Sequence, residues 1–140
     1  MEKNIKYCSM RSRELPVIKE VDIIIAGATL GSVAAALKAA GMGAKVFVIG
    51  YMPYLGEDIC GTYKYMFEDH NEDHPILNKI FPKGMDRTPF TVKKVLEDEL
   101  IDNDIDFLYS SYVTDVLFDE QSEPAGVIIA NRSGQQIIRG

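Results

Sequence analysis

Val21-Asp-Ile-Ile-Ile-Ala-Gly27-Ala-Thr-Leu-Gly31-Ser-Val-Ala-Ala-Ala-Leu-Lys38 is the stretch that decides the fold. Val21 to Ala26 is apolar apart from Asp22 and ends at a glycine, which reads as a buried strand running into a tight turn. Leu30, Val33, Ala34 and Leu37 then recur at helical spacing. Ala44 to Ile49 is a second apolar run, so the unit is strand, helix, strand. The N-terminus of such a helix offers free backbone N–H groups and the positive end of the helix dipole, and both favour a phosphate.

The glycine pattern of a dinucleotide site is G-x-G-x-x-G after the strand. With the register fixed by the strand, its three positions are Gly27, Thr29 and Ser32. Gly27 can make the turn. Thr29 puts a branched side chain where a second glycine would let backbone approach a pyrophosphate. Ser32 is small enough for helix and strand to pack, and Gly31 adds local freedom one place off the pattern. The acid that binds a ribose is expected about 20 residues further on, at the end of the second strand. That position holds Gly50. The fold signal is intact and the cofactor signal is altered at two points.

A length of 140 residues suggests one domain, and 46% hydrophobic residues are enough for a core. The net charge of -6 argues against a nucleic-acid partner, whose affinity comes from clustered Lys and Arg. No apolar run reaches the roughly 18 residues that a membrane helix requires. The first twenty residues contain no apolar core of a signal peptide. Cys8 and Cys60 do not make a disulfide framework and fit a reducing compartment, so a cytoplasmic location is expected.

Residues 1–20 read as an N-terminal arm, with Leu15 to Ile18 as an extended segment, and residues 21–140 as the nucleotide-fold domain. Asp69 to Pro75 is a polar break and Phe81 to Pro89 a loop. Pro89 suits a helix start. Val92, Val95, Leu96, Glu99 and Leu100 follow it at helical spacing, with Thr91 as a contributor to the cap. Asp106 to Tyr109 begins a short strand. Tyr112 to Asp119, Ala125 to Arg132 and Gln135 to Arg139 read as further strands, separated by the hairpin signals Gln121 to Pro124 and Ser133-Gly134. The fold class is therefore α/β, with a parallel sheet expected from Val21–Ala26, Ala44–Ile49 and Asp106–Tyr109, and an antiparallel meander on its other side.

This order resembles the N-terminal part of FAD-dependent oxidoreductases of the glutathione-reductase-like superfamily. Besides the strand–turn–helix, Tyr54-Leu-Gly-Glu-Asp-Ile-Cys-Gly61 is similar to the Leu-Gly-Glu-Asp-x-Cys segment of a bacterial subgroup, some of whose members carry the label xanthan lyase. Ile105 to Phe118 followed by Ala125 to Gly134 resembles the strand into the adenine site and the meander. The resemblance covers the chain from about Ile18 onward. It implies a Rossmann-like FAD/NAD(P)-binding fold, incomplete at the C-terminus, because the family's closing parallel strand and substrate domain would follow Gly140. It implies FAD as cofactor, with a small-molecule substrate in the longer enzyme. By the same resemblance Gly27, Ala28, Thr29, Gly31 and Ser32 form the pyrophosphate loop and Gly50 takes the ribose-acid position. Gly56 and Glu57 approach the flavin side of the pyrophosphate, and Val113 meets adenine through its backbone. An empty sheet position would leave an edge open to self-association.

Other residues have plainer readings. Cys60, beside Glu57 and Asp58, reads as a packed thiol with a raised pKa. His70 and His74 are four apart, but Pro75 and Asn71 fit a solvated loop better than a metal site. Glu97, Asp98, Glu99, Asp102, Asp104 and Asp106 read as a solvated helix face and its exit turn. Tyr51, Tyr54, Tyr63, Tyr65 and Phe67 either line a cleft or pack. Two other functions stand beside the FAD reading. One is a degenerate nucleotide-fold module without cofactor, serving packing or partner binding. The other is a short-chain dehydrogenase, which Gly27 and Gly31 fit; Val33 in place of its last glycine and the lack of any Tyr-x-x-x-Lys pair count against it.

Overall fold

The computed structural model describes residues 12, 14–63, 74–82 and 87–140. Three layers build the domain. In the middle is a parallel sheet of β2 (Ile23–Ala26), β3 (Val46–Ile49) and β4 (Asp106–Leu108), in the order β2-β3-β4. Ile23 pairs with Val46, and Phe47 pairs with Asp106. The parallel sheet is the one expected from the sequence. Asp22, the polar residue in the first apolar run, accepts the backbone N–H of Lys45 at 2.7 Å, so it ties the starts of two strands together from the exposed end.

β3 explains why the sheet is covered twice. Successive side chains of a strand point to opposite faces, and all four residues of β3 are buried. Val46 and Val48 join the core beneath the helices, with Val33, Ala36, Leu55, Ile80, Val92, Leu96 and Leu100. Phe47 and Ile49 join a second core with Ile129 and Ile138. The helical layer consists of α1 (Leu30–Gly41), α2 (Glu57–Cys60), α3 (Pro75–Ile80) and α4 (Pro89–Asp102). Val92, Leu96 and Leu100 of α4 are spaced by four and fully buried. α4 begins at Pro89, as the sequence suggests, and its N-cap is Thr88, whose hydroxyl accepts the N–H of Thr91 at 3.2 Å, so Thr91 enters the cap as the donor. Cap and proline at the first helical position act together.

The third layer is a four-stranded sheet in the order β1-β7-β6-β5, of β1 (Val17–Glu20), β5 (Tyr112–Phe118), β6 (Pro124–Asn131) and β7 (Gly134–Arg139). β5, β6 and β7 are the expected antiparallel meander. At the first turn, the carboxylate of Asp119 accepts the N–H groups of Gln121 and Glu123, each at 2.9 Å. The second turns on Gly134, at φ +98°. The segment expected to be extended, Leu15 to Ile18, overlaps β1, which pairs in parallel with β7 as part of this sheet.

The acidic run is more tied down than a solvated face. Asp98 pairs with Lys94, Glu99 with Lys79 and Asp106 with Lys19, while Glu97 accepts the hydroxyl of Tyr109. That bond and burial raise the Tyr109 pKa, burial contributing most. His74 stands at the N-cap of α3. His70, Tyr65 and Phe67 lie outside the described residues. Among the described residues no helix is long and apolar enough to cross a membrane.

Candidate nucleotide site

β2 ends at Gly27, whose φ of +135° is a conformation that side chains rarely adopt. Its N–H remains in the sheet pattern, donating to the carbonyl of Ile49 at 2.8 Å. The chain then turns into α1 through Thr29, the helix N-cap. The Thr29 hydroxyl accepts the N–H of Ser32 at 3.1 Å and meets the Ser32 hydroxyl at 2.9 Å. Thr29 is thus part of the helix start as well as an occupant of the second glycine position.

Above this turn is an open cavity of about 630 Å³, lined by Gly27, Thr29, Ser32, Tyr51, Glu57 and Val113, together with Ala26, Ile49, Ser111 and Tyr112. That volume is in the range of ligand pockets. Five of the nine expected site residues therefore surround one space: Gly27, Thr29, Ser32, Glu57 and Val113. The other four are placed differently. Ala28 is fully buried behind the loop. Gly50 is buried against it, and a Cβ at position 50 would lie 2.8 Å from the Ala28 Cβ. Gly56, left-handed at φ +75°, is joined to the loop by its N–H, which donates to the Ala28 carbonyl at 2.7 Å. Gly31 lines a second, smaller hollow of about 230 Å³ with Leu30, Asp58 and His74.

The charges are set by α2. The Asp58 carboxylate accepts the N–H of Leu30, the first helical residue of α1, at 2.9 Å. An acid there satisfies an orphan donor and faces the positive end of the helix. Glu57 has its pKa raised, by burial first and then by the negative charge of Asp58; the N–H of Ala28 and the hydroxyl of Tyr51 oppose that shift. Its Oε2 is buried and has no hydrogen-bond partner among the described residues. Tyr51 and Tyr112 stand with ring centroids 6.3 Å apart at the cavity's side. The Tyr51 pKa is raised, chiefly by Glu57.

Sequence reasoning did not place Asp58, Ser111 or Tyr112 at the site; Asp58 entered that reasoning only as a neighbour of Cys60. Ser111 is 1% exposed; its N–H donates to the Gly50 carbonyl and its hydroxyl to the Tyr109 carbonyl, each at 3.0 Å. No sequence pattern marks such a residue, because one of its partners, Gly50, comes from a distant part of the chain. Of the tyrosines, Tyr51 lines the cavity, Tyr54 packs on the helical core under Lys93, and Tyr63 is exposed. Cys60 is buried, with Sγ donating to the Pro89 carbonyl at 3.5 Å. Burial pushes its pKa up most, Lys93 opposes and Asp58 adds.

A glycine turn between a parallel strand and a capped helix, with a meander strand closing the far side, is the geometry of a dinucleotide fold. Residues 22–140 match the family described as FAD dependent oxidoreductase. The chain belongs to that family. Among solved structures, this family member is similar in fold to THI4 of Thermovibrio ammonificans, with a TM-score of 0.64 and 13% identity, over 86% of this chain and 54% of that one. It is similar also to the 3-ketosteroid-Δ4-(5α)-dehydrogenase of Rhodococcus jostii RHA1, with a TM-score of 0.58 and 13% identity, over 89% and 44%. A third likeness is to a myxobacterial chondrochloren halogenase, an FAD-dependent halogenase, with a TM-score of 0.57 and 17% identity, over 87% and 36%. The chain spans about half or less of the length of these structures. No curated protein matches the sequence.

Proposed function

We propose that this chain is the FAD-binding part of a flavin-dependent oxidoreductase, with the ADP half of FAD in the cavity over Gly27. One observation carries this reading: the Gly27 turn with the start of α1, and the Val113 strand from far along the chain, line a single space of nucleotide size. Within it Gly27, Ala28, Thr29, Gly31 and Ser32 make the diphosphate loop, with Gly50 behind it, Gly56 and Glu57 across from it and Val113 toward adenine. Bound flavin would carry the redox chemistry; the protein's part is to position it. The Leu55-Gly-Glu-Asp-Ile-Cys60 segment supports placing the chain in the Leu-Gly-Glu-Asp-x-Cys subgroup of the glutathione-reductase-like enzymes, with a small-molecule substrate for the longer enzyme.

A second reading, a nucleotide-fold module that takes no cofactor, has its own support. Asp58 occupies the Leu30 N–H and Thr29 occupies that of Ser32, so the first turn of α1 is largely satisfied from within the chain. Titration with FAD, followed by flavin fluorescence, separates the two. The first reading expects saturable but weak binding of FAD, competed by ADP and not by FMN, and a chain that purifies colourless. No response at millimolar FAD establishes the second. Tight, near-stoichiometric yellow protein would show that Thr29 and Gly50 do not weaken the site.

A further inference from the structure

We propose that Glu57 is the acceptor for the ribose hydroxyls of the bound adenosine, replacing from α2 the acid that the end of β3 lacks. The inference rests on the cavity being a nucleotide site. At position 50 the strand end offers no route for an acid: the first carbon of any side chain there would stand 2.8 Å from the Ala28 Cβ. The Glu57 carboxyl reaches that same residue, against the Ala28 N–H and the Tyr51 hydroxyl. The residues on either side of Glu57 hold it there. The Gly56 N–H donates to the Ala28 carbonyl at 2.7 Å, and Asp58 accepts from the Leu30 N–H at 2.9 Å. Glu57 is thus clamped at both sides onto the loop and supplies the only carboxylate among the described residues lining the cavity.

The ligand chemistry follows from the unpartnered oxygen. Oε2 is buried and lacks a donor among the described residues, so taking one from a ligand requires the Glu57 carboxyl to turn toward the cavity it lines. A buried acceptor left without a donor is costly, and an acceptor that is ionised gains most from one. A diphosphate cannot serve, since it offers only acceptors and like charge. A vicinal diol offers two O–H donors and no charge. Glu57 therefore acts on the ribose rather than on the diphosphate that its resemblance to the family implies.

The test compares ADP with 2′,3′-dideoxy-ADP by NMR titration of the whole chain, its Glu57→Gln variant and its Tyr51→Phe variant, with thermal melts to confirm folding. The unaltered chain should bind ADP about tenfold or more tightly than the dideoxy compound. Glu57→Gln should erase most of that difference while leaving dideoxy binding in place, and Tyr51→Phe should reduce the difference partly. Equal preference for ADP in the unaltered chain and Glu57→Gln overturns the assignment and leaves the nucleotide site standing. Tighter binding of both ligands by Glu57→Gln also overturns it, identifying the carboxylate as a repelling group. Failure of the unaltered chain to bind FAD or ADP at all overturns the nucleotide reading and this assignment with it.

Discussion

At the scale of single residues, the loop shows how two substitutions fit the same space. Gly50 stands where a ribose acid is expected, and the structure makes it a packing partner of Ala28. Gly50→Glu should destabilise the chain by about 1–3 kcal/mol, as overpacking does. Ala28→Gly should relieve most of that cost, and a double-mutant cycle by urea unfolding reads the coupling. Additive effects would show that the two positions do not compete. Thr29 has two roles that oppose each other. Thr29→Gly opens backbone access and should strengthen FAD binding, while loss of the cap should lower stability by a few tenths to about 1 kcal/mol. Weaker or unchanged FAD binding would sink the claim that Thr29 obstructs. Glu57 adds a pH dependence. Its folded pKa is raised above the unfolded value, so the folded state holds the extra proton between the two, and stability falls as pH rises through that window. Glu57→Gln should flatten this slope in melts taken from the ordinary carboxylate range upward.

At the scale of elements, periodicity made the long pieces legible. The apolar spacing in α1 and α4 follows from one face meeting a core, and the meander was marked by its two hairpin breaks. What periodicity cannot carry was not legible. α2 is four residues long, shorter than the repeat that would announce it. The pairing of β1 with β7 joins segments more than a hundred residues apart, and nothing local to Val17–Glu20 specifies it. The site was legible in outline from Gly27 and the Leu-Gly-Glu-Asp segment. The Asp58–Leu30 and Glu57–Ala28 contacts were not, because they depend on how α2 lies across the loop. A glycine in the meander is also silent in the sequence. Gly126 sits in β6 at φ +147°, and a Cβ there would meet the Ile138 carbonyl at 2.3 Å on the neighbouring strand. Gly126→Ala should cost on the order of 2–4 kcal/mol, combining strain at a special backbone conformation with a backbone that must shift. A denaturant midpoint equal to that of the unaltered chain would show that β6 and β7 separate freely there.

At the scale of the whole molecule, the sheet edges are unequal, and that inequality points to how copies of the chain would meet. Among the described residues four strands have one unpaired edge: β1 and β5 in the mixed sheet, β2 and β4 in the parallel one. Three of them carry the features that discourage edge pairing. β1 has Lys19 and Glu20, β5 has Asp115, and β4 is three residues long and begins at Asp106. β2 is Ile-Ile-Ile-Ala without a charge, yet its end residues are exposed, and Ile23 is 39% exposed where every residue of β3 is buried. An apolar strand of that kind with open N–H and C=O groups recruits another chain. We therefore expect the protein to self-associate through β2, while its net charge of -6 keeps it in solution. Sedimentation over a range of concentrations should show a monomer giving way to a dimer. Ile23→Lys, which places a charge on that edge, should shift the transition to higher concentration without lowering the helical content. A monomer that persists into the high micromolar range would remove the idea. A dimer indifferent to the Ile23→Lys change would move the contact to another edge, and the exposed Val113, Val116 and Phe118 of β5 would then be the surface to test.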